Sequence, residues 1–322
     1  MSLKSFIELP EVREKIKILR PKESRKIGTS IKVNPRTNNF WVVGTAFDYL
    51  LRFELERLAP HAKSGKWVAE SSWKNLIIEP DPNGFELIPV LGIEPDPKNP
   101  YHEGAWRAKR VVEEAKAAVE KYKRDKNPNE EIKKELAAHA LRLGRLDYVG
   151  RFGLGLLLKA LPEIKKDNAY NFWKKILDEH FEEVDYEDVE DLLEMLKIVP
   201  FEELIHPNLI LLNPDFAEAS KLVGGADTDL IVGDMLIDLK VTKDSSISVE
   251  YLDQLLGYLF LARKQRGIKP DFPAINRLGL YFCRFGYLWS KPSSIWINHP
   301  KFAEIEEWFF KHAKNVYPNF PS

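Results

Sequence analysis

Residues 224–258 read GGADTDLIVGDMLIDLKVTKDSSISVEYLDQLLGY. Two short apolar runs, Leu230-Ile231-Val232 and Met235-Leu236-Ile237, flank the pair Gly233-Asp234. A two-residue, glycine-containing turn between apolar runs predicts a β-hairpin. Residues two apart on a strand project to the same side, so Asp238 and Lys240 share a face of the second strand. With the turn at Gly233-Asp234, Asp229 on the first strand falls opposite Asp238 and joins that face.

Two carboxylates and an ammonium on an otherwise apolar hairpin carry an electrostatic cost. Carboxylates about 5 Å apart repel by roughly 3 kcal/mol at an effective dielectric of about 20. That equals about two pKa units, enough to push one of the pair toward protonation. Lys240 offsets part of this, and a divalent cation would offset the rest. Hard cations such as Mg²⁺ take oxygen ligands, often one or two carboxylates completed by water and phosphate.

Working downstream, residues 249–266 predict a helix whose apolar face is Leu252, Leu255, Leu256, Leu259 and Phe260. Gln254 and Tyr258 stand at i and i+4 and share one side of it. Residues 277–289, RLGLYFCRFGYLW, predict a last strand or hairpin. Upstream, Leu209-Ile210-Leu211-Leu212 followed by Asn213-Pro214 predicts a buried strand ending in a turn.

Further toward the N-terminus the signals are weaker. Residues 11–38 carry Arg13, Lys15, Lys17, Arg20, Lys22, Arg25, Lys26, Lys32 and Arg36 against Glu11, Glu14 and Glu23. A phosphate-contacting arm and a solvated surface segment both fit this composition. Phe47, Leu50, Leu51, Leu55 and Leu58 recur at helical spacing up to Pro60, and Asp48, Glu54 and Glu56 lie on the same helix. Residues 79–100, with Pro80, Pro82, Pro89, Pro95, Pro97 and Pro100, predict a loop holding a short strand at 85–88, Phe85 to Ile88. From Ala105 to about Leu204 the chain reads as helices. Arg142, Arg145 and Arg151 are candidates to line a nucleic-acid channel or to face solvent. Gly144, Gly150, Gly153 and Gly155 follow no strand, which argues against a phosphate-cradling loop. The acidic stretch from Glu182 to Glu194 argues against nucleic acid lying on that surface.

Composition bounds the rest. The 322 residues are 44% hydrophobic and 30% charged with a net charge of -1, so a sizeable core and about two domains are expected. A near-neutral chain is not a general polyanion binder, and nucleic-acid contacts would be local patches. The single cysteine, Cys283, excludes an internal disulfide and every multi-cysteine zinc pattern, and the histidines show no ligand spacing. A reducing, cytoplasmic setting is expected. No N-terminal signal-like segment and no apolar run near the ~20 residues of a membrane span is present, so no membrane partner is expected.

The order of helix, insertion, three strands, helix and strand, with these residues, resembles the PD-(D/E)XK nuclease superfamily. The match is Asp229 followed by Asp238-Leu239-Lys240 as the D-X-K element. Gln254 to Tyr258 supplies a Q-x-x-x-Y motif similar to that of RecB-like and CRISPR-associated RecB-like exonucleases. The clear resemblance covers 209–289, a minority of the chain. It implies an α/β, restriction-endonuclease-like core of α-β-β-β-α-β with a long helical insertion. The implied division is a basic N-terminal segment and first core helix at 1–64, a mostly helical insertion at 65–205, and a nuclease core at 206–322.

The same resemblance implies a Mg²⁺- or Mn²⁺-dependent nuclease acting on nucleic acid, with DNA favoured over RNA and exonuclease over endonuclease action. Asp229, Asp238 and the Leu239 carbonyl would hold the metal, which would activate water and offset charge on the phosphoryl oxygens. Lys240 would orient that water or stabilise developing charge, its pKa lowered by burial or a nearby cation. Gln254 and Tyr258 would position the site or contact the substrate backbone. RecB-like members carry a metal-binding His on an early helix after a Gly. Asp48 stands at that place here, with Glu54 and Glu56 as fallbacks. The alternatives are a catalytically silent nucleic-acid binder on the same fold, and a scaffold in which Asp229, Asp238 and Lys240 form a buried ion network. Under the nuclease reading, Asp238→Asn relieves repulsion and leaves metal-free stability equal or higher. Under the scaffold reading it destabilises. Oligomeric state is open.

Overall fold

The computed structural model describes residues 2–21, 26–80, 87–90, 92–152 and 183–318. Lys22, Glu23, Arg25, Pro82, Phe85, Gly153, Gly155 and Glu182 lie outside them. The chain forms two compact units, one made of Met1–Lys32, Ala59–Gly65 and Ile198–Ser322, the other of Val33–Leu58 and Lys66–Lys197.

The first unit is mixed α/β. Its sheet has six strands in the order β1 (Lys63–Ser64), β4 (Ile210–Leu212), β5 (Leu230–Val232), β6 (Met235–Lys240), β7 (Arg277–Phe282) and β8 (Tyr287–Pro292). The central hairpin has the expected register: Leu230 pairs with Ile237, Ile231 with Leu236 and Val232 with Met235. Gly233 takes φ +59 at the turn, a conformation that favours glycine. β4 and β5 are antiparallel, β5 and β6 are antiparallel, and β6 and β7 are parallel. Parallel neighbours need a crossover, and helix α7 (Val249–Ile268) provides it.

The predicted helix at 249–266 is thus present, but it is buried more completely than one apolar face requires. Asp253, Gly257, Tyr258, Leu261, Ala262 and Gln265 are buried along with the expected leucines. A helix covered nearly all round belongs to a core. Part of the cover comes from the N-terminus, where α1 (Leu3–Ile7) and α2 (Pro10–Ile16) insert Leu3, Phe6, Ile7, Val12 and Ile16 into the same cluster. Helix α8 (Phe302–Val316) adds Phe302, Ile305, Phe309 and Ala313. Each such side chain removed from water contributes roughly 1.5–3 kcal/mol. The first residues of the chain are therefore part of this core.

Among its described residues the second unit is helical apart from the two-stranded pair β2 (Ile78–Pro80) and β3 (Leu87–Pro89). α3 (Phe40–Leu58), α5 (Glu130–Phe152) and α6 (Tyr186–Lys197) pack on one another, and α4 (Glu103–Arg124) packs on α5. Helix α3, expected with the nuclease core, groups with the helices. Among the described residues no helix is long and apolar enough to cross a membrane.

Candidate metal and catalytic site

The sheet's centre positions the hairpin residues. Asp238 and Lys240 end β6, where they pair with Leu280 and Phe282 of β7 and lie beyond the last β5 pair, Leu230 with Ile237. Asp238 is buried, and Lys240 keeps 14% of its side chain exposed. The Lys240 ammonium forms an ion pair with Asp238 Oδ2 and donates to Gln254 Oε1 at 2.9 Å. Gln254 Nε2 in turn donates to the Tyr258 hydroxyl at 2.8 Å. One continuous polar chain therefore runs from Asp238 through Lys240 and Gln254 to Tyr258. Asp229 Oδ2 accepts from the Leu239 backbone N–H at 2.5 Å, which carries its carboxylate across the hairpin to the D-x-K strand.

Burial works against a charged Lys240, but the Asp238 and Asp229 carboxylates outweigh it and hold the ammonium above the ordinary lysine range. Without metal, burial therefore does not produce the expected lowering of the lysine pKa. Burial acts in the expected direction, and the adjacent carboxylates overcome it. Tyr258 is held well above the ordinary phenol range, first by burial and then by Asp238, Asp229 and Asp227, so this phenol is neutral.

The same ion pair reverses the expected effect of Asp238→Asn. Asp238 is a partner of a buried ammonium as well as a rival of Asp229. Removing its charge leaves Lys240 undercompensated, which is destabilising. Metal-free stability therefore cannot separate the nuclease from a scaffold.

The sequence reading missed a third member of the helix stripe. Tyr251, Gln254 and Tyr258 stand at i, i+3 and i+7 on α7, and the Lys240 ammonium lies 4.5 Å from the Tyr251 ring centroid. The spacing was visible in sequence, but Q-x-x-x-Y begins one turn later. A cleft of about 340 Å³ is lined by Lys240, Tyr251 and Gln254 together with Lys4, Ile7 and Arg13.

The upstream candidates are paired within their own unit. Asp48, Glu54 and Glu56 belong to the helical unit, where each carboxylate has a cationic partner. Asp48 accepts from Arg52 at 2.7 Å, Glu54 from Arg57 at 2.6 Å, and Glu56 pairs with Lys123 at 3.0 Å. Tyr122 also donates to Glu54. Several residues of the basic N-terminal stretch are engaged in ion pairs. Arg13 pairs with Glu250, Lys15 with Glu304 and Lys17 with Glu14, while Arg20 grips the buried Asp253 through two 2.7 Å hydrogen bonds. Arg36 pairs with Glu187 and Glu194. Of the channel arginines, Arg145 donates to the Glu183 carbonyl and Arg151 pairs with Asp147.

Two hairpin carboxylates and the neighbouring Leu239 carbonyl are hard oxygen donors. Among the described residues no group of three or more His, Cys, Asp or Glu could hold a metal. Such a donor set suits Mg²⁺ or Mn²⁺, which accept water and phosphate oxygens as remaining ligands, and does not suit a closed zinc site. No family model matches the chain, and neither a curated protein nor a solved structure matches it.

Proposed function

We propose that this chain is a metal-dependent nuclease that hydrolyses phosphodiester bonds, with DNA as the favoured substrate and exonucleolytic action the favoured mode. The observation that carries the reading is the polar chain Asp238–Lys240–Gln254–Tyr258, with Asp229 at its head. It joins the D-X-K strand to the Q-x-x-x-Y helix, two motifs whose nearest members are fourteen residues apart. The strand succession β4, β5, β6, then α7, then β7 supports the same reading, because it has the β-β-β-α-β order that the resemblance implies.

In this reading Asp229, Asp238 and the Leu239 carbonyl hold Mg²⁺ or Mn²⁺. When bound, the metal supplies an activated water and stabilises charge on the phosphoryl oxygens. The protein's own residues do the rest. Lys240, protonated and directed by Asp238 and Gln254, faces the region where negative charge grows and donates to it. Gln254 is the second oxygen partner of the ammonium beside Asp238. The neutral Tyr258 hydroxyl fixes Gln254. Charge developing beside a buried ammonium is stabilised more strongly than it would be in water.

The test is cleavage of labelled single-stranded DNA, duplex DNA and RNA in Mg²⁺ and Mn²⁺. Wild type should cleave DNA only with metal, and Asp238→Ala and Lys240→Ala should each lower the rate by on the order of 10²-fold or more. Cleavage retained in both variants would reject the site. DNA binding with no turnover in either metal would instead support the silent binder.

A further inference from the structure

We infer that Tyr251 is a positioning residue for Lys240, its ring face being the third wall that holds the ammonium. This rests on the nuclease reading for its catalytic consequence but not for its geometry. Lys240 Nζ has Asp238 on one side, Gln254 Oε1 at 2.9 Å on another, and the Tyr251 ring centroid at 4.5 Å. An ammonium over an aromatic face is attracted by the ring quadrupole, more strongly when partly desolvated.

The ring is itself placed by two independent contacts. Its backbone N–H is capped by Ser248 Oγ at 3.3 Å, which sets the first turn of α7. Its edge meets the Phe282 ring at a centroid distance of 6.4 Å and an interplanar angle of 61°. Phe282 is the cross-strand neighbour of Lys240 in the β6–β7 ladder. Strand register therefore fixes the lysine and the phenylalanine together, and the phenylalanine sets the tyrosine against the lysine. A flexible four-carbon side chain needs such walls, because the two oxygen partners leave its remaining direction open.

The ring face, not the hydroxyl, performs this role. Phenylalanine preserves it, while leucine or methionine fills similar space without a π face. The experiment measures kcat and KM of the full chain on a labelled DNA oligonucleotide in Mn²⁺ for wild type, Tyr251→Phe, Tyr251→Leu and Tyr251→Met. Both aliphatic variants should lose roughly 10- to 100-fold in kcat with KM within about threefold, the signature of a displaced group. Tyr251→Phe should recover to within about threefold of wild type. The methionine variant keeps the test alive if leucine fails to fold.

A second arm is independent of turnover. A double-mutant cycle of Lys240→Met with Tyr251→Leu, read by urea unfolding without metal, should show coupling of roughly 2- to 30-fold in the unfolding equilibrium constant. Additivity in this cycle overturns the inference. So does a phenylalanine variant as slow as leucine, an aliphatic variant at the wild-type rate, or a loss confined to KM. If wild type cleaves nothing, the nuclease reading falls and the cycle alone decides whether the ring holds the lysine.

Discussion

At the scale of single residues, Asp238 has two partners with opposite demands. Asp229 repels it, and Lys240 attracts it from within a largely buried ion pair. Breaking a buried pair costs on the order of 3 kcal/mol or more, whereas relieving the carboxylate repulsion returns less, because Lys240 already screens it. Asp238→Asn is therefore expected to lower metal-free stability, seen as a smaller urea midpoint at unchanged slope. A midpoint equal to wild type would mean that the repulsion dominates after all. Added Mn²⁺ separates the roles further. A metal bound only by the folded state adds about 2.7 kcal/mol at one hundred times its dissociation constant, so wild type should gain thermal stability and Asp238→Ala should not. Equal shifts in both would place the metal elsewhere.

Helix α7 shows how an element carries the site. Its Ser248 cap holds the turn that presents Tyr251 and Gln254, so Ser248→Ala should cost about 1 kcal/mol, or roughly 2–4 °C in melting temperature for units of this size. An unchanged melting temperature would show the cap to be idle. Gly257, three residues on from Gln254 in the same helix, lets α1 approach closely. A Cβ there would sit 2.5 Å from Ile7 Cδ1 and 3.0 Å from Leu3 Cδ1. Gly257→Val should therefore cost roughly 1–3 kcal/mol through overpacking, and a stability equal to wild type would show α1 yielding freely. The legibility of these elements in sequence follows from how local their determinants are. The hairpin register was readable because Gly233-Asp234 and the flanking apolar triplets fix it within eight residues. α7 was readable from its apolar period. β1 was not, because Lys63–Ser64 is too short for any alternation and is a strand only by pairing with Leu211 and Leu212. In α1 and α2 the charges drew attention from Leu3, Phe6, Ile7, Val12 and Ile16, whose helical spacing was present. The partners of the basic residues were out of reach for another reason: Asp253 lies 233 residues from Arg20, and no local pattern encodes such a pair.

For the whole molecule, both units bury groups that resist losing a proton. Tyr49 and Tyr122 in the helical unit, and Tyr258 and Tyr281 in the sheet unit, are pushed above the ordinary phenol range, each by burial first and then by neighbouring acidic groups. Lys240 is raised despite its burial. For all of them the folded state keeps the proton to higher pH than the unfolded chain. Their contribution to stability is thus complete below about pH 10, where the unfolded groups begin to titrate, and is lost as pH rises toward the folded values. Each group in that window removes about 1.4 kcal/mol per pH unit. Stability by urea unfolding should therefore fall steeply between about pH 10 and 11.5, and these groups should add no slope below about pH 9. Tyr281 offers the cleanest check. Its ring is fully buried and its hydroxyl has no hydrogen-bond partner among the described residues, whereas the Tyr258 hydroxyl accepts from Gln254. Tyr281→Phe removes an unsatisfied polar group, so it should raise stability at pH 8 by about 1 kcal/mol and make the alkaline decline shallower. Tyr258→Phe should also make the decline shallower but lower stability at pH 8, because Gln254 then loses its acceptor. If both variants change stability at pH 8 in the same direction, the hydroxyls do not differ in the way their surroundings dictate. If neither changes the alkaline slope, their burial does not govern it.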